Sequence, residues 1–154
     1  MKGNDMPCDH HHHCAKEAWQ FAEDLCAQKG YRFTDSRRQV FDVLISSHKA
    51  LTAKEVMKKI NNGQPPITYR ALEFLTQVGL AHHIASINAY VGCAHHHQEG
   101  HVAEFLICTN CHEVEEVDLS SQLSALMVHA KASNFKPQET YVEMTGLCGT
   151  CQDS

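Results

Sequence analysis

"ITYRALEFLTQVGLAHHIASINAYVGC", residues 67 to 93, decides how this chain folds. Its first half places Ala71, Leu72, Leu75 and Val78 on one helical face and Gly79 where a helix stops. Its second half has two short segments around Ser86-Ile87-Asn88, the pattern of a hairpin. Just upstream, "LTAKEVMKKINNG" offers Thr52 and Glu55 as a capping box, Val56, Met57 and Ile60 as an inward face, and Asn61-Asn62-Gly63 as an end. "GQPP" reads as the turn between these two helices. Two short helices joined by a tight turn, with a hairpin packed behind the second, make a winged helix.

Further out, Ala15, Ala18, Trp19, Ala22, Leu25 and Cys26 predict a helix over residues 14 to 29 that stops at Gly30. A second helix follows, capped by Thr34 or Asp35 and buried through Val40, Phe41, Leu44 and Ile45. Beyond residue 93 the pattern changes. "HVAEFLICTNCHEVEEVDL" gives two strand-like segments around a CxxC, then a helix through Leu123, Leu126, Met127 and Ala130. Pro137 breaks the chain, and "ETYVEMTGLCGTC" supplies a last strand with a second CxxC. The fold class is therefore α+β, in four parts: a flexible His/Cys-rich tail over 1–13, a winged-helix domain over 14–92, a hinge over 93–100 and a small α/β domain over 101–154.

Among the 154 residues, 43% are hydrophobic and 20% charged, enough to bury a core. No run of 18 apolar residues and no apolar N-terminal stretch suggests a membrane span or export, so a cytoplasmic location is expected. The net charge of −5 argues against nucleic acid only until it is divided along the chain. Residues 83 to 154 hold two lysines against nine acids, whereas residues 29 to 70 hold nine basic side chains against three acidic ones. The first half faces a polyanion. Within it, Thr68, Tyr69 and Arg70 start the second helix of the helix-turn-helix, where side chains meet the major groove, and Lys54 starts the preceding helix, beside the backbone.

Of the eight cysteines, Cys108 and Cys111 form one CxxC and Cys148 and Cys151 another. In a cytosolic chain, two such pairs are the thiolate set of a closed, tetrahedral structural zinc site. The intervening 36 residues are explained by a helix that folds the last strand back. A second constellation contains His82, His83, Cys93, His95, His96, His97, His101, His112 and the acids Glu115 and Glu116. Only some of these can meet at one ion. A site drawn from them would tie the winged helix to the second domain, as a metal-driven switch requires. A solvated, histidine-rich hinge is the plainer alternative. "CDHHHHC", residues 8 to 14, reads as a solvated tail.

The segments "YRFTDSRRQVFDVL", "LTAKEV", "PITYRALEFLTQVGL", "NAYVGC", "LICTNCHEVEEV" and "GLCGTC" occur in an order that resembles the ferric uptake regulator family, most closely its zinc-responsive branch. The resemblance runs from about Ala15 to Cys151. It implies a winged-helix domain followed by an α/β dimerisation domain, and a homodimer that binds DNA when a regulatory metal is present. It also implies that Cys108, Cys111, Cys148 and Cys151 hold structural zinc, that Thr68, Tyr69 and Arg70 lie in the recognition helix, and that His82, Cys93, His101 and Glu116 form the sensing site. The thiolate in that set suits four-coordinate zinc better than six-coordinate iron. One departure is "ITYR", in which Ile67 and Thr68 exchange the polarity usual before "YR".

The resulting expectation is a zinc-responsive repressor of zinc-uptake genes, carrying about two zinc ions per chain, one structural and one regulatory. It would bind double-stranded operator DNA as a homodimer, without membrane or organic substrate. An iron or peroxide sensor of the same family and a zinc-storage or delivery protein are the alternatives. No nucleophile with an orienting base points to an enzyme.

Overall fold

A computed structural model describes residues 11–47, 49–61, 63–93, 103–117, 119–138 and 140–152. The first half is four helices, α1 (His11–Gln28), α2 (Asp35–Ile45), α3 (Ala53–Lys59) and α4 (Pro65–Gln77), followed by a hairpin of β1 (Ala81–Ile84) and β2 (Ala89–Gly92) joined by a 3-10 turn (Ala85–Ile87). Helix α1 begins at His11, inside the expected tail; residues 1–10 of that tail lie outside the described residues. The prolines of "GQPP" are not a turn before α4 but its first turn, with Gln64 as N-cap. A proline there loses no hydrogen bond, because the first helical N–H groups have no intrahelical partner.

Helices α1 and α4 end where their glycines dictate. Gly79, at φ 80°, lets the Leu80 N–H reach back to the Leu75 carbonyl at 2.8 Å while its own N–H meets Thr76. Gly30, at φ 69°, does the same for α1, with the Tyr31 N–H on Cys26 at 2.8 Å. Both are Schellman closures, and both turn the chain sharply. At α3 the capping box is complete: Thr52 accepts from the Glu55 N–H, and the Glu55 carboxylate accepts the Thr52 N–H at 2.8 Å. Thr34 is the N-cap of α2, but its hydroxyl contacts Ser36 rather than capping the helix.

Val40, Phe41 and Leu44 of α2, Val56 of α3 and Leu72 and Leu75 of α4 form the first core, closed from α1 by Ala18, Ala22 and Cys26. Trp19 meets Phe41 edge-on with centroids 5.4 Å apart. The wing gains a contact that periodicity does not reveal: Leu51 and Tyr90 exchange both backbone hydrogen bonds, at 2.8 Å each. Gly92 passes against the end of α2 so closely that a Cβ would lie 2.9 Å from the Ile45 nitrogen.

The second half contains β3 (Ala103–Cys108), β4 (Val114–Glu116), α5 (Ser120–Ala132), β5 (Tyr141–Gly146) and the short α6 (Gly149–Gln152). The sheet order is β4-β3-β5, antiparallel then parallel, and α5 lies in the connection that the parallel pair requires. Leu126 and Met127, two of the apolar residues that mark α5 in the sequence, are exposed, at 53% and 38%. A second apolar cluster joins the halves: Ala50, Ile84 and Ala89 from the winged helix pack with Phe105 and Ile107 of β3. Lys49 and Glu113 add an antiparallel bridge between the halves. Of the expected hinge, only Cys93 is among the described residues.

Candidate metal centres and nucleic-acid interface

Cys108 closes β3, Cys111 sits in the turn that leads to β4, and Cys148 and Cys151 bracket the entry to α6. Because β5 runs parallel beside β3, with Cys108 opposite Gly146, both pairs arrive at the same end of the sheet. Their four sulfurs lie within 4.8 Å of one another, and Cys111 Sγ is 3.8 Å from Cys148 Sγ. A disulfide would require about 2.05 Å. The edge of a tetrahedron with Zn–S bonds of about 2.3 Å is about 3.8 Å, so the donor set fits zinc.

The electrostatics of the thiols agree. Backbone N–H groups of Cys111 and Cys148 pull the Cys108 thiol down to about 6, against burial. Cys111 also receives a backbone N–H, from Glu113, but crowding by the neighbouring sulfurs, Cys108 foremost, outweighs it and pushes this thiol up to about 12. For Cys151 the Asn110 amide, 3.3 Å from its sulfur, lowers the pKa, yet crowding by Cys148 leaves it raised. Four thiols so close ionise together only around a cation. Asn110 is a site residue that the sequence reading missed; its only signal was its place in the CxxC spacer.

A second cluster spans the two halves. His82 comes from β1, Cys93 follows β2, and Glu116 ends β4; one ligand atom from each falls within 4.8 Å of the others. Cys93 is buried and held by its N–H on the Leu80 carbonyl at 3.0 Å. The His82 ring stands edge-on to Phe105 at 5.4 Å, and Phe105 pairs with Glu116 across the sheet. One imidazole, one thiol and one carboxylate form a mixed N/S/O donor set, with one ligand fewer than a closed tetrahedral site. His101, the expected fourth ligand, lies outside the described residues, as do His95, His96 and His97. His83 does not join the cluster: its Nε2 lies 3.1 Å from Asn88 Oδ1. Nor does His112, which takes φ 59° in the CxxC turn.

On α4, Tyr69 and Arg70 are exposed, as is Lys54 at the start of α3. Thr68 is not: only 2% of its surface is accessible, so it packs into the core and has no face to offer a base. The reason is helical phase. Thr68 shares the inward stripe of Ala71, Leu72 and Leu75, while Ile67, 45% exposed, takes the outward position. Thus the exchange of polarity in "ITYR" puts isoleucine outside and threonine inside. Arg37 and Arg38 are engaged within the fold, Arg37 stacked 3.4 Å over Phe74 and Arg38 on Glu23 at 2.5 Å.

The family model "Ferric uptake regulator family" matches residues 28–145 of this chain. The chain is 30% identical over 134 residues to the zinc uptake regulation protein of Escherichia coli (strain K12), which spans 84% of this chain and 78% of that protein. Among solved structures it is similar to a zinc uptake regulator complexed with zinc and DNA, at 28% identity and a TM-score of 0.83, over 91% of this chain and 95% of the other. Holo XcZur is similar at 34% identity and a TM-score of 0.79, over 88% and 96% of the two chains.

Proposed function

The chain belongs to the ferric uptake regulator family, and we propose that within it this protein is a zinc-responsive repressor, binding operator DNA as a homodimer when its regulatory site is loaded and controlling zinc-uptake genes. The observation that carries this reading is the convergence of His82, Cys93 and Glu116 from both halves of the chain. Bound zinc supplies a divalent centre that satisfies a thiolate, an imidazole and a carboxylate at once. His82 belongs to the winged helix, Cys93 directly follows its last strand and Glu116 belongs to the sheet, so loading this site would tie the two halves in one arrangement. His101 is proposed as the fourth ligand and Cys108, Cys111, Cys148 and Cys151 as the structural site, which makes two zinc ions per chain.

The DNA-facing surface is proposed to be Tyr69 and Arg70 on α4, with Lys54 at the phosphate backbone and Ile67 in the outward place expected of Thr68. The zinc-and-DNA complex among the similar structures supports DNA binding by this fold. Dimerisation is supported by the apolar side chains that a single chain leaves in water: Leu126 (53%), Val128 (69%), Phe135 (66%), Tyr141 (65%) and Met144 (62%), all from α5, β5 and their connection. A second copy of the chain would cover them. No helix among the described residues is long and apolar enough to cross a membrane.

The reading is tested by titrating apo-protein with Zn²⁺, or anaerobically with Fe²⁺, and following binding to a duplex enriched from a randomised pool. Zinc restores binding to wild type and fails with Cys93→Ser. Equal binding by Cys93→Ser across the zinc range, or restoration by iron alone, contradicts it. Several exchangeable zinc ions per chain without sequence-specific DNA binding would indicate a storage protein instead.

A further inference from the structure

Three residues form one row across the sheet facing the wing: Glu143 on β5 pairs with Phe105 on β3, and Phe105 pairs with Glu116 on β4. Paired residues on neighbouring strands project to the same side. At one end of the row Glu116 meets His82 and Cys93. In the middle, Phe105 meets the His82 ring at 5.4 Å. At the other end, the Glu143 carboxylate accepts the backbone N–H of Ala85 at 2.8 Å and that of Ser86 at 2.9 Å, one on each oxygen. Both N–H groups belong to the 3-10 turn at the tip of the wing, 57 and 58 residues away in sequence.

We propose that Glu143 is a positioning residue that latches the wing to the sheet at the end of the row opposite the regulatory site, and so sets how much zinc the chain needs to reach its DNA-binding arrangement. The inference rests on the zinc-responsive reading above. A carboxylate taking two backbone N–H groups makes charge-assisted bonds, stronger than those between neutral groups. These bonds exist only while the wing lies on the sheet, because the two partners come from different halves of the chain. They therefore favour the closed arrangement and no other. Whatever fraction of closure the latch supplies, the metal does not have to supply, so the zinc requirement falls by the same factor.

The contact keeps its charge. Burial disfavours the carboxylate, but the bonds from Ser86, from its hydroxyl and then its backbone, the Ala85 N–H and the nearby His83 together hold the Glu143 carboxyl below its ordinary range.

The test uses full-length dimer carrying Glu143→Ala or Glu143→Gln. Backbone amide exchange at Ala85 and Ser86 is measured in the zinc-loaded protein, and DNA binding is followed across a zinc titration with the duplex enriched by wild type. The latch predicts faster exchange at those two amides in Glu143→Ala and a zinc midpoint raised on the order of tenfold, with full binding regained at saturating zinc. Glu143→Gln, which keeps one acceptor oxygen, falls between. Unchanged exchange, an unchanged midpoint, or a loss that saturating zinc does not restore overturns the proposal; the last would mean a purely structural role. If wild type enriches no duplex, or binds without regard to metal, the repressor reading fails, and the latch is then judged by the two amides.

Discussion

Glu55 and Thr52 satisfy each other's backbone at the start of α3, and both ends of that bond face water. Replacing Thr52 with alanine is expected to cost about 1 kcal/mol, read from denaturant midpoints. The same pair gives an acid limb. The Thr52 hydroxyl and N–H hold the Glu55 carboxyl below its ordinary value of 4.5. A depressed folded value means that this stability is fully present above 4.5 and is lost as pH falls through the folded value. Glu55→Gln should flatten that limb while retaining much of the cap. On α4 the expectation divides between neighbours. Arg70→Ala should lower discrimination between operator and mismatched duplexes by about 1 to 3 kcal/mol, measured by competition binding. Thr68→Ser, at a buried site, should leave discrimination unchanged and alter stability only. The identity of Thr68 as a candidate was readable in the sequence but its direction was not, since a one-residue offset in helical phase separates a base contact from a core residue.

At the level of elements, capping and periodicity carried most of the fold. Thr52 with Glu55, Gly79 after α4, and Ser86-Ile87-Asn88 between two short segments each named a boundary that local backbone chemistry enforces. What stayed hidden depends on contacts between distant residues. The Leu51–Tyr90 bridge is a single pair of hydrogen bonds with no period to announce it. The stripe of α5 was apolar for a surface rather than a core, and hydrophobicity alone cannot tell the two apart. Tyr141→Glu with Met144→Glu should therefore turn a dimer into a monomer in sedimentation velocity, with the helical signal retained. Cys148→Ser should leave one thiol fewer at the sheet end and prevent the α5–β5 half from folding cooperatively. Structural zinc typically supplies about 10 to 16 kcal/mol of apparent folding energy.

For the molecule as a whole, the two halves meet along one face. An apolar patch of Ala50, Ile84 and Ala89 on Phe105 and Ile107 lies at the centre, with His82, Cys93 and Glu116 at one end and Glu143 at the other. The candidate ligands were legible as residue types, because a soft thiolate among imidazoles and acids is a short list. Which of them meet was given by the family resemblance alone, because residue types and spacing do not reveal the register that puts Glu116 opposite Phe105. If zinc and DNA act through this shared face, each must tighten the other by the same factor, about 5- to 150-fold for a coupling of about 1 to 3 kcal/mol. The most direct measurement is zinc per chain before and after mild chelation, paired with a gel shift on the enriched duplex. The account predicts two zinc ions, one of them chelatable, and a shift that disappears with that ion and returns when it is restored. A shift indifferent to chelation would contradict it.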